Sequence, residues 1–119
     1  MDSLFESLDY RHYLKSRFDK MREKKSFVSY RLIAQKLKMD PGQLVKILQG
    51  HRHISERLIP VFSNYLGLKG REEEFFQCLV RFNKAKTTTE TSLYFDKLME
   101  IKDLVLPRVE PDQDRFYQK

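Results

Sequence analysis

The chain is expected to fold as an all-α bundle of five to six helices. Three observations predict this. Apolar residues recur at i, i+3, i+4 and i+7 through most of the sequence, the spacing of one-faced helices, and few stretches alternate as strands do. Caps, glycines and prolines punctuate the pattern at intervals of a few turns. Nine Phe and six Tyr supply core bulk in the absence of Trp. A length of 119 residues fits one domain, and chains of this size bury roughly two-thirds of their extended surface.

The first helix is expected from Leu8 to Lys24, with Leu14, Phe18 and Met21 as its stripe and Tyr10 and Tyr13 flanking. Lys24, Lys25 and Ser26 break the pattern, and Phe27 and Val28 are expected to tuck a short connector into the core. Residues 29–50 read as two short helices joined by a tight turn. Tyr30, Ile33, Ala34 and Leu37 form the apolar face of one, and Leu44, Ile47 and Leu48 that of the other. Asp40 suits an N-cap, Pro41 the first helical position, and Gln43 the third position of a capping box. Gly50 can adopt the left-handed conformation that stops a helix. Ala34 is small where the two helices cross.

Ser55 is the expected N-cap of a fourth helix carrying Leu58, Ile59, Phe62, Tyr65 and Leu66 and ending at Gly67. Pro60 lacks the N–H that a helix interior needs, so a 3₁₀ opening or a late start is expected. The fifth helix begins near Gly70, with Glu72, Glu73 and Glu74 in its first turn and Arg81, Lys84 and Lys86 towards its end, the order favoured by the helix dipole. Phe75, Leu79 and Phe82 make its stripe, beside Phe76 and Val80. Thr87 and Glu90 form a capping box for a sixth helix carrying Tyr94, Leu98, Ile101 and Val105, stopped by Pro107. The organisation is therefore a helical domain over residues 1–106 and a polar tail over 107–119, in which Phe116 and Tyr117 hint at a further element.

Charge is unevenly distributed. The net charge is +6, yet residues 11–57 hold thirteen Lys or Arg against four acids, an excess of nine. Residues 58–119 are balanced at ten of each sign. The excess therefore surrounds the 29–50 helix pair. Clustered cations around a helix-turn-helix layout suit a phosphate backbone, so double-stranded DNA is the expected partner. A solvated basic face without function is the bland alternative.

Other classes find little support. The single cysteine, Cys78, rules out an internal disulfide framework, fits a reducing cytosol, and reads as an inert thiol. No segment has the roughly 20 apolar residues of a membrane span, nor does residues 1–8 resemble a signal peptide. A cytoplasmic location is expected. His51 and His53 lack Cys or acidic companions, His12 is isolated, and no phosphate loop or nucleophile–base pair appears. Neither an enzyme, a cofactor nor a metal is expected.

The segments LFESLDYRHYLKSRF, SYRLIAQKL, LVKILQGHRHISERLIPVFSNYLGL, REEEFFQCLVRFNKAKT and EPDQDRFYQK, in this order and spacing, resemble a large, little-characterised bacterial family of helix-turn-helix transcriptional regulators, best populated in fibrobacters. Members usually continue into a larger C-terminal domain. The resemblance therefore implies that this chain is an N-terminal portion or a shortened member, with the missing domain as a further partner. The helix pair is also similar to that of the phage-repressor (Cro/cI-like) superfamily, which implies a lambda-repressor-like fold with the second helix in the major groove.

That similarity implies that Pro41, Gly42, Val45 and Lys46 face bases, with Gln49 and the segment after Gly50 near phosphates. Only Lys46 among these is a strong base reader, and Gln43 joins it if the helix rolls, although Gln43 also suits a cap. Lys38 stands where the superfamily usually has Gly, so a non-glycine residue is asked to take positive φ. Arg52 is expected on a phosphate, with His51 beside it in a basic turn. Gln49 fits either a phosphate or the helix end. Arg31, Gln35 and Lys38 occupy the outer side of the first motif helix, where backbone contacts are common.

The expected function is thus the DNA-binding part of a bacterial transcriptional regulator, acting as a homodimer on two half-sites through its last two helices or missing sequence. The alternative is an α-helical protein-interaction module in which residues 72–86 and 88–105 dock a partner.

Overall fold

The structure, a computed structural model, describes residues 3–105, and among them the backbone forms six α-helices and two 3₁₀ turns, with no strand. The helices are α1 (Tyr10–Lys24), α2 (Tyr30–Lys36), α3 (Pro41–Leu48), α4 (Ile59–Tyr65), α5 (Arg71–Lys84) and α6 (Thr88–Val105). The 3₁₀ turns are Leu4–Glu6 and Glu56–Leu58. Pro107, Pro111, Phe116, Tyr117 and the rest of the tail lie outside the described residues.

One core joins all six helices. Tyr10, Leu14 and Phe18 of α1 meet Ile33 and Leu37 from the α2 end, Leu44 and Ile47 of α3, Phe62 of α4, and Phe75, Phe76 and Leu79 of α5. Tyr10 and Tyr13 are buried in this core, where the sequence had suggested the flanks of a stripe. The α1 stripe is wider than expected because α3 and α5 both pack on it. Phe5, from the first 3₁₀ turn, meets Phe75 edge to face at 5.2 Å. The last helix packs along α5, burying Leu98 and Ile101.

Caps place the boundaries. Asp9 accepts the Arg11 N–H, so α1 starts at Tyr10, two residues later than expected. The Ser29 hydroxyl accepts from Leu32, and the Asp40 carboxylate accepts from Gln43. At the sixth helix, Thr87 Oγ1 accepts the Glu90 N–H, while the Glu90 carboxylate reaches back to the Lys86 N–H. Pro60 has the anticipated effect, since residues 56–58 are 3₁₀ and α4 begins only at Ile59.

Local expectations fail at Phe27, at Ser55 and in the side chain of Gln43. Phe27 is 71% exposed and stays out of the core. Phe27 sits at the tip of a turn closed by the Val28 N–H on Lys25 O at 3.0 Å, which carries its ring outwards while Val28 is half-buried; the Lys25 ammonium lies 6.0 Å from the Phe27 ring centre. Ser55 precedes the 3₁₀ turn without a side-chain cap bond.

Candidate nucleic-acid interface

The segment from Ser29 to Ile54 is built by local rules. Three consecutive helices, α2, α3 and α4, end in the same two-bond pattern. At α2, the Lys38 N–H reaches Gln35 O and the Met39 N–H reaches Ala34 O. At α3, Gly50 pairs with Ile47 and His51 with Lys46; at α4, Gly67 pairs with Asn64 and Leu68 with Ser63. This is the Schellman closure, which needs a left-handed residue just past the helix. Gly50 (φ 88°) and Gly67 (φ 74°) supply it without strain, whereas α2 uses Lys38 at φ 57°. The positive φ anticipated at Lys38 is therefore present.

With Leu44, Ile47 and Leu48 buried, α3 turns Gly42, Gln43, Lys46 and Gln49 to solvent on one continuous stripe. Pro41 and Val45 are half-buried at its edge. On α2, Arg31 and Gln35 are exposed one turn apart, and Lys38 is exposed beyond the helix end. His51 and Arg52 are exposed in the turn after α3. All nine residues singled out from the sequence are thus solvent-accessible on the α2–α3 segment and its following turn. Gly42 has a steric reason of its own, because a Cβ there would lie 2.9 Å from Asp40 Oδ2, the capping oxygen. Gln43 contributes only its backbone N–H to that cap, and its side chain remains in solvent.

The turn after α3 is held from α1. The Arg11 guanidinium donates Nε–H to Ile47 O at 2.8 Å and Nη2–H to Arg52 O at 2.6 Å, thereby tying the last turn of α3 and the loop after it to α1. His53 Nδ1 lies 2.9 Å from the Tyr10 hydroxyl and 3.1 Å from Arg11 Nη2. Tyr10 accepts the Ile54 N–H at 3.2 Å and donates to the ring nitrogen. The Arg11 contact requires Nδ1 to be unprotonated, because a guanidinium can only donate, and this sets the direction of the Tyr10 bond. Desolvation lowers the His53 pKa, reinforced by Arg11 and Lys84 and opposed by Asp9. Burial raises that of the Tyr10 phenol.

Several cations in the basic segment therefore do structural work. Arg17 donates to the Tyr13 hydroxyl and to Leu66 O at the end of α4. Arg22 pairs with Asp19 at 3.5 Å and lies 4.5 Å from the Tyr30 ring centre. Tyr30 is half-buried and donates to Asp19. In contrast, Arg31, Lys36, Lys38, Lys46, Arg52 and Arg57 are exposed, and no carboxylate of the described residues lies within 4.0 Å of them.

Sequence reasoning missed the residues that position this segment. Asn83 of α5 accepts the Tyr10 N–H and donates to Leu8 O, capping α1 from a distance. Glu56 receives a two-pronged contact from Arg81, at 2.8 Å for Nη2, which tethers the turn before α4 to α5 and holds the Glu56 carboxyl below its ordinary range. Burial pushes the half-buried Cys78 thiol up, away from the reactive thiolate. Among the described residues no group of three or more His, Cys, Asp or Glu is placed to hold a metal ion, and no helix is long and apolar enough to cross a membrane. In comparisons with known proteins, no family model, curated protein or solved structure matches this chain.

Proposed function

We propose that this chain binds double-stranded DNA as the recognition part of a transcriptional regulator, with α3 in the major groove. The observation that carries the reading is the outward stripe Gly42, Gln43, Lys46 and Gln49 on a capped helix whose neighbouring cations lack acidic partners. In this docking α2 and α3 act as a helix-turn-helix. Lys46 reaches base edges, Gln43 flanks it, and Arg52, His51 and Gln49 approach phosphates at the far end. Arg31, Gln35 and Lys38 grip the backbone from α2. One lysine is a sparse reading set, so the phosphate backbone supplies most of the affinity.

Replacing Lys46 and Arg52 together with Ala tests this docking. Both are exposed, so the fold is expected to persist. By fluorescence anisotropy with a random duplex, binding is expected to weaken about tenfold or more at about 0.1 M salt. Unchanged affinity would refute the placement of α3.

A second reading rests on α6, where Leu93 and Leu104 are exposed apolar side chains on one face, three turns apart, while the partly exposed Phe95 lies against Phe82 of α5. Such a surface suits a protein partner or a second copy of the chain. As a dimer contact it is compatible with DNA binding; as the sole function it requires that duplex DNA not bind.

A further inference from the structure

A cleft separate from the α3 stripe lies between the end of α2 and the start of α4. It has a volume of about 480 Å³ and is open to solvent. Lys36, Lys38 and Arg57 line it, and no Asp or Glu does. Val61 and the Tyr65 ring contribute an apolar wall, and the Asn64 amide adds a neutral donor. Tyr65 is anchored, with its ring centre 6.4 Å from that of Phe18 and its hydroxyl directed to Met21 Sδ. Three cations and no carboxylate thus share one cleft with a fixed apolar wall, a setting complementary to an anion that carries an apolar group. Lys38 adds a second argument, because its backbone carries left-handed strain that glycine avoids at the equivalent ends of α3 and α4. A residue kept in a strained conformation points to use of its side chain.

We propose that this cleft binds an oxyanion with a small apolar body, of which an aryl or alkyl phosphate is the simplest case. Arg57 offers a planar fork for two oxygens, Lys36 and Lys38 supply point charges, and the apolar group rests against Val61 and Tyr65. The same phosphate chemistry occurs in a free metabolite and in a nucleic-acid backbone. Lys38 is shared with the proposed DNA docking, whereas Lys36, Arg57, Val61 and Tyr65 belong to the cleft alone.

Phenyl phosphate is the probe, titrated into ¹⁵N-labelled protein and followed by amide chemical shifts. Saturable shifts at residues 36–38 and 57–65 are expected, and phenol is expected to give none. In the double variant K36A/R57A the affinity should fall about tenfold for each cation removed. Shifts that spread over the whole basic surface without saturating, or that persist unchanged in the variant, would overturn the site. Adding random duplex DNA identifies the source of the anion. Displacement of phenyl phosphate assigns the cleft to a backbone phosphate, and simultaneous binding assigns it to a free metabolite. If phenyl phosphate binds and duplex does not, the cleft stands and the DNA reading falls.

Discussion

At the scale of single residues, His53 shows how an exposed side chain becomes sensitive to protonation. Its Nδ1 accepts from Tyr10 and faces the Arg11 guanidinium, and Lys84 and Lys86 add positive charge while Asp9 opposes them. The folded state therefore favours neutral imidazole, and its pKa lies below the ordinary 6.5. As pH falls, the unfolded chain takes up the proton first. The His53 contribution to stability is thus complete above about pH 6.5 and is lost as pH falls through the folded value. The urea midpoint is expected to drop between pH 7 and pH 5 in the native chain and to drop less in His53→Asn, which keeps an acceptor near the Nδ1 position. Equal drops in both proteins would remove His53 from the account. The Glu56 carboxyl is held below its ordinary 4.5, so its own loss of stabilisation falls at lower pH and does not obscure the comparison.

Single residues also mark what a sequence discloses. The left-handed backbone at Lys38 was legible through the resemblance, which implies a glycine at that turn position, and it serves a local requirement that depends only on neighbours in the chain. Arg11 and Asn83 were not. Arg11 acts on the Ile47 carbonyl 36 residues away, and Asn83 on the Leu8 carbonyl 75 residues away. No spacing rule connects such pairs, so Arg11 was counted with the cations available for phosphate although its donors are taken up by backbone carbonyls.

At the scale of elements, three successive helices share one C-terminal closure and differ in the residue that makes it. Left-handed strain in a non-glycine residue costs roughly 1–2 kcal/mol. Glycine's extra freedom in the unfolded chain costs roughly 0.4–1 kcal/mol. The balance favours Lys38→Gly, which is expected to raise stability by up to about 1 kcal/mol in urea denaturation. The same substitution should weaken phenyl phosphate binding in the cleft. A variant less stable than the native chain would show that the Lys38 side chain contributes packing that offsets its backbone strain.

The helices themselves were largely legible for related reasons. Caps at Asp40, Thr87 and Gly50, and the disturbance at Pro60, are local features that survive into the fold. Phe27 was misjudged because hydrophobicity alone does not say which of two adjacent residues turns inwards; Val28 takes the inner place. The width of the α1 stripe was also hidden, since burial of Tyr10 and Tyr13 depends on α3 and α5 packing on one helix from two directions.

At the scale of the whole molecule, charge is the organising feature. Within the basic residues 11–57, the donors of Arg11 and Arg17 are committed to neutral backbone and side-chain acceptors, and Arg22 pairs with Asp19. What remains is exposed on the α2–α3 segment, on α1 and at the start of α4. α5 opens with three glutamates, and residues 58–119 are balanced in charge, so the cationic surface belongs to one part of the chain. Such asymmetry orients a molecule on a polyanion and speeds its encounter at low salt.

The most direct measurement is the salt dependence of binding to a random duplex. If the exposed cations around α3 neutralise about five phosphates, the logarithm of affinity should fall against the logarithm of salt with a slope of about −4 or steeper. A slope near zero, or no binding at about 50 mM salt, would contradict the account.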